Sequence, residues 1–506
     1  MHPDVIVIGS GAGGAPLTKR LADLGLHVLL LERGRAIPKE PENWNPRQVL
    51  LQRRYLTQEA WKDAVGKPVN RYARYNIGGA TKYFGSVMIR FREQDFLATE
   101  HLDGTSPAWP FSYSSLEPYY GQAEQLFGVH GATQDDPTEP YRSTAFPFPA
   151  VKSEPFVAEV EAKLRRQGLH PNPLPVAVDL HEGGKCIRCA TCDGFPCLVG
   201  AKNDAETRCV APALETGRVT LWANAVVLRL VREVAGSRIA SVEVEHQGEL
   251  KSIVAKTIVL SAGALNSALL LMRSADSTYP AGIANSSGMV GRHYMGHNFT
   301  AIMAVSQRRN PTHFQKTMSI NDFYLGDTSY PYPMGNVQML GKLQADMLKV
   351  RVGFLPAVVG RFLTARSVDL LVTTEDLPKP NNRVVIDGGA ARLAVVRSNA
   401  DPHKRLAGIM TKMMKQIGFP LVLTNTMPLA FSSAQCGTVR MGDEPSLAPL
   451  DGHCRAYDHP NLFVVDASCF PSSGSVNPSL TIAAQALRVA DHIAKTEFGI
   501  QRSSAS

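Results

Sequence analysis

The sequence predicts an α/β protein in which a discontinuous Rossmann-like dinucleotide-binding domain is covered by a second, sheet-and-helix (α+β) domain. Three observations carry this. Asp4 to Ile8 is a buried-strand run that enters Gly9-Ser-Gly11-Ala-Gly-Gly14, a helical stretch closed by Gly25, and a second strand ending at Glu32. Residues 257–271, TIVLSAGALNSALLL, again read strand, glycine turn, helix. Residues 462–465 form a last apolar strand into Asp466, followed by a Ser/Gly/Pro loop and a long helix. Units so far apart share one sheet only if the chain leaves it and returns.

Each element has its physical reason. Gly9 permits the tight turn, Gly11 lets backbone approach a pyrophosphate, and Gly14 packs helix on strand, while Glu32, 18 residues past Gly14, can accept from a ribose hydroxyl. The motif starts at the N-terminus, which favours FAD over NAD. In the terminal stretch Asn477 is a favoured helix N-cap and Pro478 suits the first helical position. That helix start presents N–H groups and a positive dipole end, so a negative group is expected in front of it.

Bulk properties narrow the class. A chain of 506 residues exceeds one hydrophobic core, and 44% apolar with 19% charged residues is ordinary globular composition. The net charge is +8, but no Lys/Arg run exceeds two residues, which argues against nucleic-acid binding. MHPDVIVIGS runs straight into a strand with no secretory signal, and no apolar run is long enough to span a membrane. VGFLPAVVGRFL (352–363) is short and interrupted by Pro356, so a buried or interfacial segment is expected. Eight cysteines without an export signal point to reduced or metal-bound thiols and a cytoplasmic location.

Between the dinucleotide-binding units, Gly78-Gly79, Thr81 and Gly85 would let a loop press against a flat ligand, or serve as a plain glycine-rich connection. The Pro/Tyr/Trp/Ser-rich stretch 103–150 reads as irregular cover. Cys186, Cys189, Cys192 and Cys197 are spaced for an iron–sulfur or zinc site, or are simply free thiols on a turn-rich loop. Alternating strand patterns run through 219–231 and 239–250. Sheet segments at 332–340 and 383–387 and a helix over 401–418 suit the covering domain, and the RSSAS tail is expected to fray.

The chain is identified as resembling the glucose–methanol–choline (GMC) oxidoreductases, nearly end to end. The matching pieces are GSGAGG with Glu32, NIGGATKYFGSVMIR, LSAGALNSALLL, VGRHYMGH (290–297), CGTVRMG (436–442) and VVDAS…SVNPSLTIAAQALRVADHI. IRCATCDGFPC resembles a bacterial subgroup with pyranose- and glycoside-oxidising members. The resemblance implies FAD, non-covalently held, and oxidation of a CH–OH group by hydride transfer to flavin N5, with electrons passing to oxygen or another acceptor. The substrate would be a sugar, a glycoside or another alcohol. It implies that Gly9, Gly11, Gly14 and Glu32 hold the ADP half, and that Val227 meets the adenine through its backbone. Gly78, Gly79 and Thr81 would line the flavin and pyrophosphate, and Asp466 and Ala467 the ribityl and phosphate groups. Asn477, Pro478 and Thr481 would face the pyrimidine end. The FAD-binding domain is expected from 1–95, 205–300 and 450–506, and the substrate domain from 96–204 and 301–449.

The pattern breaks at the base. The family's H-x-x-G-T places a proton-accepting His three residues before the Gly-Thr pair; here that place is Ala434. Asn477 fills the second catalytic place and can hydrogen-bond a substrate oxygen. Either the base was removed by an introduced substitution, or the chain has diverged, with a base from elsewhere or with catalysis lost. His297, His453 and His459 read as structural. Two alternatives to a weakened oxidoreductase stand beside it: an FAD-containing lyase of the same fold, and a catalytically silent FAD-binding protein.

Overall fold

Uniformly apolar strands form where both faces of a sheet are covered, and the central sheet is built this way. The structure, a computed structural model, describes residues 2–500 apart from 58, 60, 70–72, 351 and 429–432; the RSSAS tail lies outside the described residues. Five parallel strands lie in the order Val219–Ala223, Val28–Glu32, Val5–Ile8, Thr257–Leu260, Leu462–Val464. Val5, Ile6, Val7, Ile258, Val259 and Leu260 are fully buried at its centre. All three strand–turn–helix units read from the sequence therefore meet in one sheet, and the loops that leave its carboxyl edge converge.

The second layer is a six-stranded antiparallel sheet ordered Leu421–Thr426, Asn298–Val305, Ser367–Thr374, Asn336–Met339, Met318–Ile320, Asn172–Pro173. Helix Ala400–Gln416 closes its back, with Leu406, Met410 and Met414 in one core with Ile302, Val368 and Leu370.

Two expectations are corrected. Residues 103–150 are not simply irregular cover: Tyr113–Phe127 is a 15-residue helix running through Pro118. Tertiary packing overrides the proline. Leu116, Tyr120, Ala123 and Phe127 are buried against the terminal helix Ser479–Phe498, and the buried Arg90 pairs with Glu117 and Glu124 at 2.9 and 2.8 Å. The alternating run 219–231 is two strands in two sheets, because Asn224 turns the chain with φ 53° and sends Val226–Arg232 into a separate antiparallel sheet with Ile239–His246.

A Cβ on Gly14 would overlap the Gly9 carbonyl oxygen, whereas Gly408, exposed inside its helix, has open space around it. Gly14→Ala should cost at least ~1–3 kcal/mol and flavin content with it. Gly408→Ala should gain ~0.5–1 kcal/mol. Thermal melts of the two variants check both; equal melting temperatures would show that the first turn is not tightly packed.

Candidate active site

The site is built on the loops that follow the parallel strands. At the first, Gly9 has φ 104°, and a Cβ there would overlap Ser261. Gly11 differs: the nearest atom to a Cβ there is Gly79 Cα at 4.0 Å, so its outward face is open. Gly79 in turn lies so close to Gly11 that its own Cβ would sit 2.9 Å from Gly11 Cα. The fingerprint loop and the second glycine loop thus lie against each other.

Ser10, the residue between the first two glycines, joins them. Its hydroxyl donates to Glu32 Oε2 at 2.6 Å and accepts from Gly78 N at 3.1 Å. Glu32 also accepts from Ser10 N and Gly34 N, at 3.1 and 2.8 Å, and its burial pushes the carboxyl above the usual range despite these bonds. Gly78, with φ 83°, starts the short helix Gly79–Lys82, while Thr81 donates to the Gly78 carbonyl at 2.6 Å and accepts from Ala205 N at 3.0 Å. Asn76 anchors the loop by donating to the Ile77 and Gly79 carbonyls, and its own buried oxygen has no partner among the described residues. Val227 sits at a register shift in the separate antiparallel sheet, opposite Val244.

Asp466, at the end of the last parallel strand, ties that edge together. It accepts from Gly263 N (2.9 Å), Ser267 Oγ (2.6 Å) and Ser468 N (2.7 Å), the last capping the short helix Ala467–Cys469. The Ala467 carbonyl accepts from Gly437 N at 3.0 Å, which attaches the CGTVRMG segment. The terminal helix begins at Ser479, with Pro478 at the cap position and no side-chain cap bond. The expected Asn477 cap is therefore corrected: the Asn477 oxygen instead accepts from Gln338 Nε2 at 2.9 Å. The first backbone bond of the helix is Ile482 N to Pro478 O, so the N–H groups before it have no intrahelical acceptor. Thr481 is buried and shares a hydrogen bond with the Tyr120 hydroxyl at 2.8 Å.

The loop before that helix is gripped by residues the sequence did not single out. Glu375, just past roof strand Ser367–Thr374, accepts from Ser106 Oγ (2.7 Å), Ser473 N (3.2 Å) and Gly474 N (3.3 Å). Burial raises its pKa, but hydrogen bonding and charge from His101 and the Ser106 bond outweigh burial and hold it below the usual range. Tyr324 accepts from Ser475 N at 3.0 Å and donates to Asp95 at 2.8 Å. Trp109 donates to Ser472 at 2.8 Å, and His297 Nε2 donates to the Ser473 carbonyl at 3.1 Å. Burial keeps His297 below the usual histidine range. Met295 and Cys436 exchange two backbone bonds of 3.0 Å as an antiparallel pair; His297 and the buried Ala434, each two residues from it, fall at the same end of the pair on the two facing segments. His459 is buried on the Ser237 carbonyl and His453 stacks on His492, both away from this loop.

The metal reading of the cysteine segment is corrected. Among the described residues no group of three or more His, Cys, Asp or Glu is arranged to hold a metal ion. The sulfurs have other partners: Cys189 accepts from Thr191 Oγ1 at 3.2 Å and from the Cys192 thiol, and Cys197 accepts from Ala201 N at 3.3 Å. Those bonds bring the Cys189 thiol down to about 5. Cys186 is half-buried and burial pushes its thiol up. The segment is instead a strut, with Asp193 paired to Lys316 at 2.8 Å and Gly194 N donating to Tyr83 O.

Glu375→Leu would leave three buried donors without their acceptor, at roughly 1–3 kcal/mol each; the variant should melt lower and lose flavin, and retention of both would show that Glu375 does not hold the loop. Burial, then repulsion from Glu375, pushes Asp95 up to about 7. Its unfolded pKa is about 3.9, so between these values the folded state keeps a proton that the unfolded state has released, and stability falls as pH rises from about 4 to about 7. Asp95→Asn removes this component, so the drop in melting temperature from pH 5 to pH 8 should be smaller in the variant; an equal drop would mean that Asp95 titrates normally.

Residues 76–301 match the GMC oxidoreductase N-terminal profile and residues 425–486 the C-terminal one. The chain is 30% identical to paromamine 6'-oxidase of Streptomyces fradiae over 97% of its length and 91% of the relative's. It is 27% identical to the fructose dehydrogenase large subunit of Gluconobacter japonicus, covering 97% and 98%. A crystal structure of pyridoxine 4-oxidase from Mesorbium loti shares the fold with TM-score 0.70 at 19% identity, over 99% of this chain and 100% of that one. These relatives do not favour the lyase or the silent reading, and no helix among the described residues is long and apolar enough to cross a membrane. With two glycine loops facing each other, an acid at the second strand and a helix start closing the far end, the chain belongs to the GMC oxidoreductase family, FAD-dependent enzymes that oxidise CH–OH groups.

Proposed function

We propose that this oxidoreductase acts on a sugar or glycoside, passes the electrons to oxygen or another acceptor, and turns over weakly because Ala434 occupies the position of the base. Two relatives support the substrate class: their names give paromamine and fructose as substrates. The observation that carries the site is the Gln338–Asn477 bond, which ties a roof side chain to the residue just before the terminal helix.

The chemistry of the residues at the site fits FAD. Gly11 leaves backbone open, Asn76 offers an unpartnered buried oxygen, and the terminal helix start presents N–H groups. Gly9, Gly11, Gly14 and Glu32 would hold the ADP half, with Val227 at the adenine. Gly78, Gly79 and Thr81 would shape the loop over the pyrophosphate and flavin, with Asp466 and Ala467 at the ribityl chain and Asn477, Pro478 and Thr481 at the pyrimidine end. FAD, bound without a covalent link, supplies the hydride acceptor.

The rest falls to side chains. Asn477 accepts from Gln338 through its oxygen, which leaves its NH2 to donate to the substrate hydroxyl oxygen. Removing the hydroxyl proton needs an acceptor near the working pH, and a positioned His contributes on the order of 100- to 10,000-fold. Alanine offers none. The two layers support a division into an FAD domain of 1–95, 205–300 and 450–506 and a substrate domain of 96–204 and 301–449. All eight cysteines are free thiols, which supports a cytoplasmic setting.

Anaerobic flavin bleaching with a panel of sugars, glycosides and simple alcohols tests this, on the protein and on Ala434→His in parallel. The histidine form should bleach at least 100-fold faster with a sugar or glycoside. Equal rates would mean another group takes the proton, and no bleaching in either would overturn the substrate class.

A further inference from the structure

The segment 352–363, expected to be buried or interfacial, is mostly exposed. The chain leaves roof strand Asn336–Met339, the strand that carries Gln338, and forms two short helices, Ala345–Leu348 and Ala357–Thr364. Gly360 and Thr364 are the buried residues of the second helix. A Cβ on Gly360 would already come within 3.2 Å of Ala345 Cβ, so the two helices are closely packed. That contact turns the other face outward. Phe354 is 89% exposed, Val358 65% and Phe362 53%. Val358 and Phe362, four apart on the helix, share one face, and Phe354 is exposed in the turn that leads into it. Val350, Val352 and Val359 are exposed around it, and Leu51 is exposed at the end of the Arg47–Leu51 turn, against which the first helix packs. A scattered exposed hydrophobe needs no explanation; a contiguous set on a rigid support does.

The sequence of the segment is basic: residues 347–366 contain Lys349, Arg351, Arg361 and Arg366 and no acid, with Asp346 just before them. Arg361 is exposed and the Arg366 guanidinium lies 3.9 Å from the Phe362 ring centre, at the edge of this face. Lys349 is partly neutralised by Asp346 at 2.8 Å, while Arg47 and Arg53 are exposed at the adjoining turn. A symmetric contact between two copies would set these cations against their equivalents, which costs energy; an anionic surface meets them favourably. Aromatic and aliphatic side chains standing beside arginines, with no acid among them, suit the headgroup boundary of a bilayer.

We propose that the face formed by Phe354, Val358, Phe362, Arg361 and Arg366 docks on an anionic lipid bilayer surface. The protein lies on the membrane and does not cross it. Because the segment continues the strand that bears Gln338, docking turns the roof sheet's side of the molecule toward the lipid.

The test is sedimentation of the FAD-loaded protein with vesicles of phosphatidylcholine alone and of phosphatidylcholine rich in phosphatidylglycerol. The protein should pellet with the anionic vesicles on the order of tenfold more strongly, and less so as salt is raised. Phe354→Ser with Phe362→Ser should lose most of the binding to anionic vesicles, with melting temperature and flavin content unchanged since both rings are exposed. Arg361→Glu with Arg366→Glu should abolish the preference for anionic lipid. No pelleting with either vesicle, or serine-variant binding equal to the parent's, overturns the proposal. So does a dimer in light scattering that the serine variant splits, which would assign the face to a second copy.

Discussion

The grip of one buried carboxylate on one loop holds the two layers of this molecule in working relation. Glu375 belongs to the roof, immediately after one of its two eight-residue strands, and the loop it holds belongs to the last parallel strand and the terminal helix. Two backbone N–H groups and the Ser106 hydroxyl converge on its Oε1. A carboxylate buried this deeply would ordinarily take up a proton. It stays charged because His101 and the serine hydroxyl favour the anion by more than burial opposes it. The position of Asn477, two residues beyond Ser475, follows from that grip and from Gln338 on the neighbouring roof strand.

This arrangement concentrates acids where water is excluded. Asp95 and Asp376 both lie beneath the loop and both are pushed up, to about 7 and about 6, burial being the main cause. Glu375 is the acid that keeps its charge, and its field is part of what raises Asp95. Like charges in one low-dielectric site cannot all ionise together. The division between one anion and two weakened acids gives the loop's N–H groups a fixed acceptor in Glu375.

Much of the core was legible because it rests on local patterns. Glycine spacing with an acid at the next strand, apolar runs of strand length, and the glycine that closes the first helix depend on neighbours in the chain, so they can be read without a fold. Asn224 hid a change of sheet inside a pattern that looks continuous, because a single left-handed residue leaves the alternation nearly intact. Tyr113–Phe127 was hidden by Pro118, whose local cost is met by a distant helix and by Arg90. In the site, Gly9, Gly11, Gly14, Glu32 and Asn477 could be singled out by motif. Ser10, Gln338, Glu375 and Tyr324 could not. Each acts through partners 22 to 269 residues away, such as Glu32 for Ser10 and Ser106 for Glu375, and nothing in their local sequence announces it. Glu375 stands in VTTEDLPKP, which reads as a plain strand end.

The substitution at 434 takes its meaning from what surrounds it. The Gly437 N–H meets the Ala467 carbonyl, Cys436 pairs with Met295, and the Gln338 amide donates to Asn477. The Asn477 oxygen does not cap the terminal helix but accepts from Gln338 of the roof sheet. The chain therefore keeps these contacts around position 434 while carrying there a side chain that can take no proton.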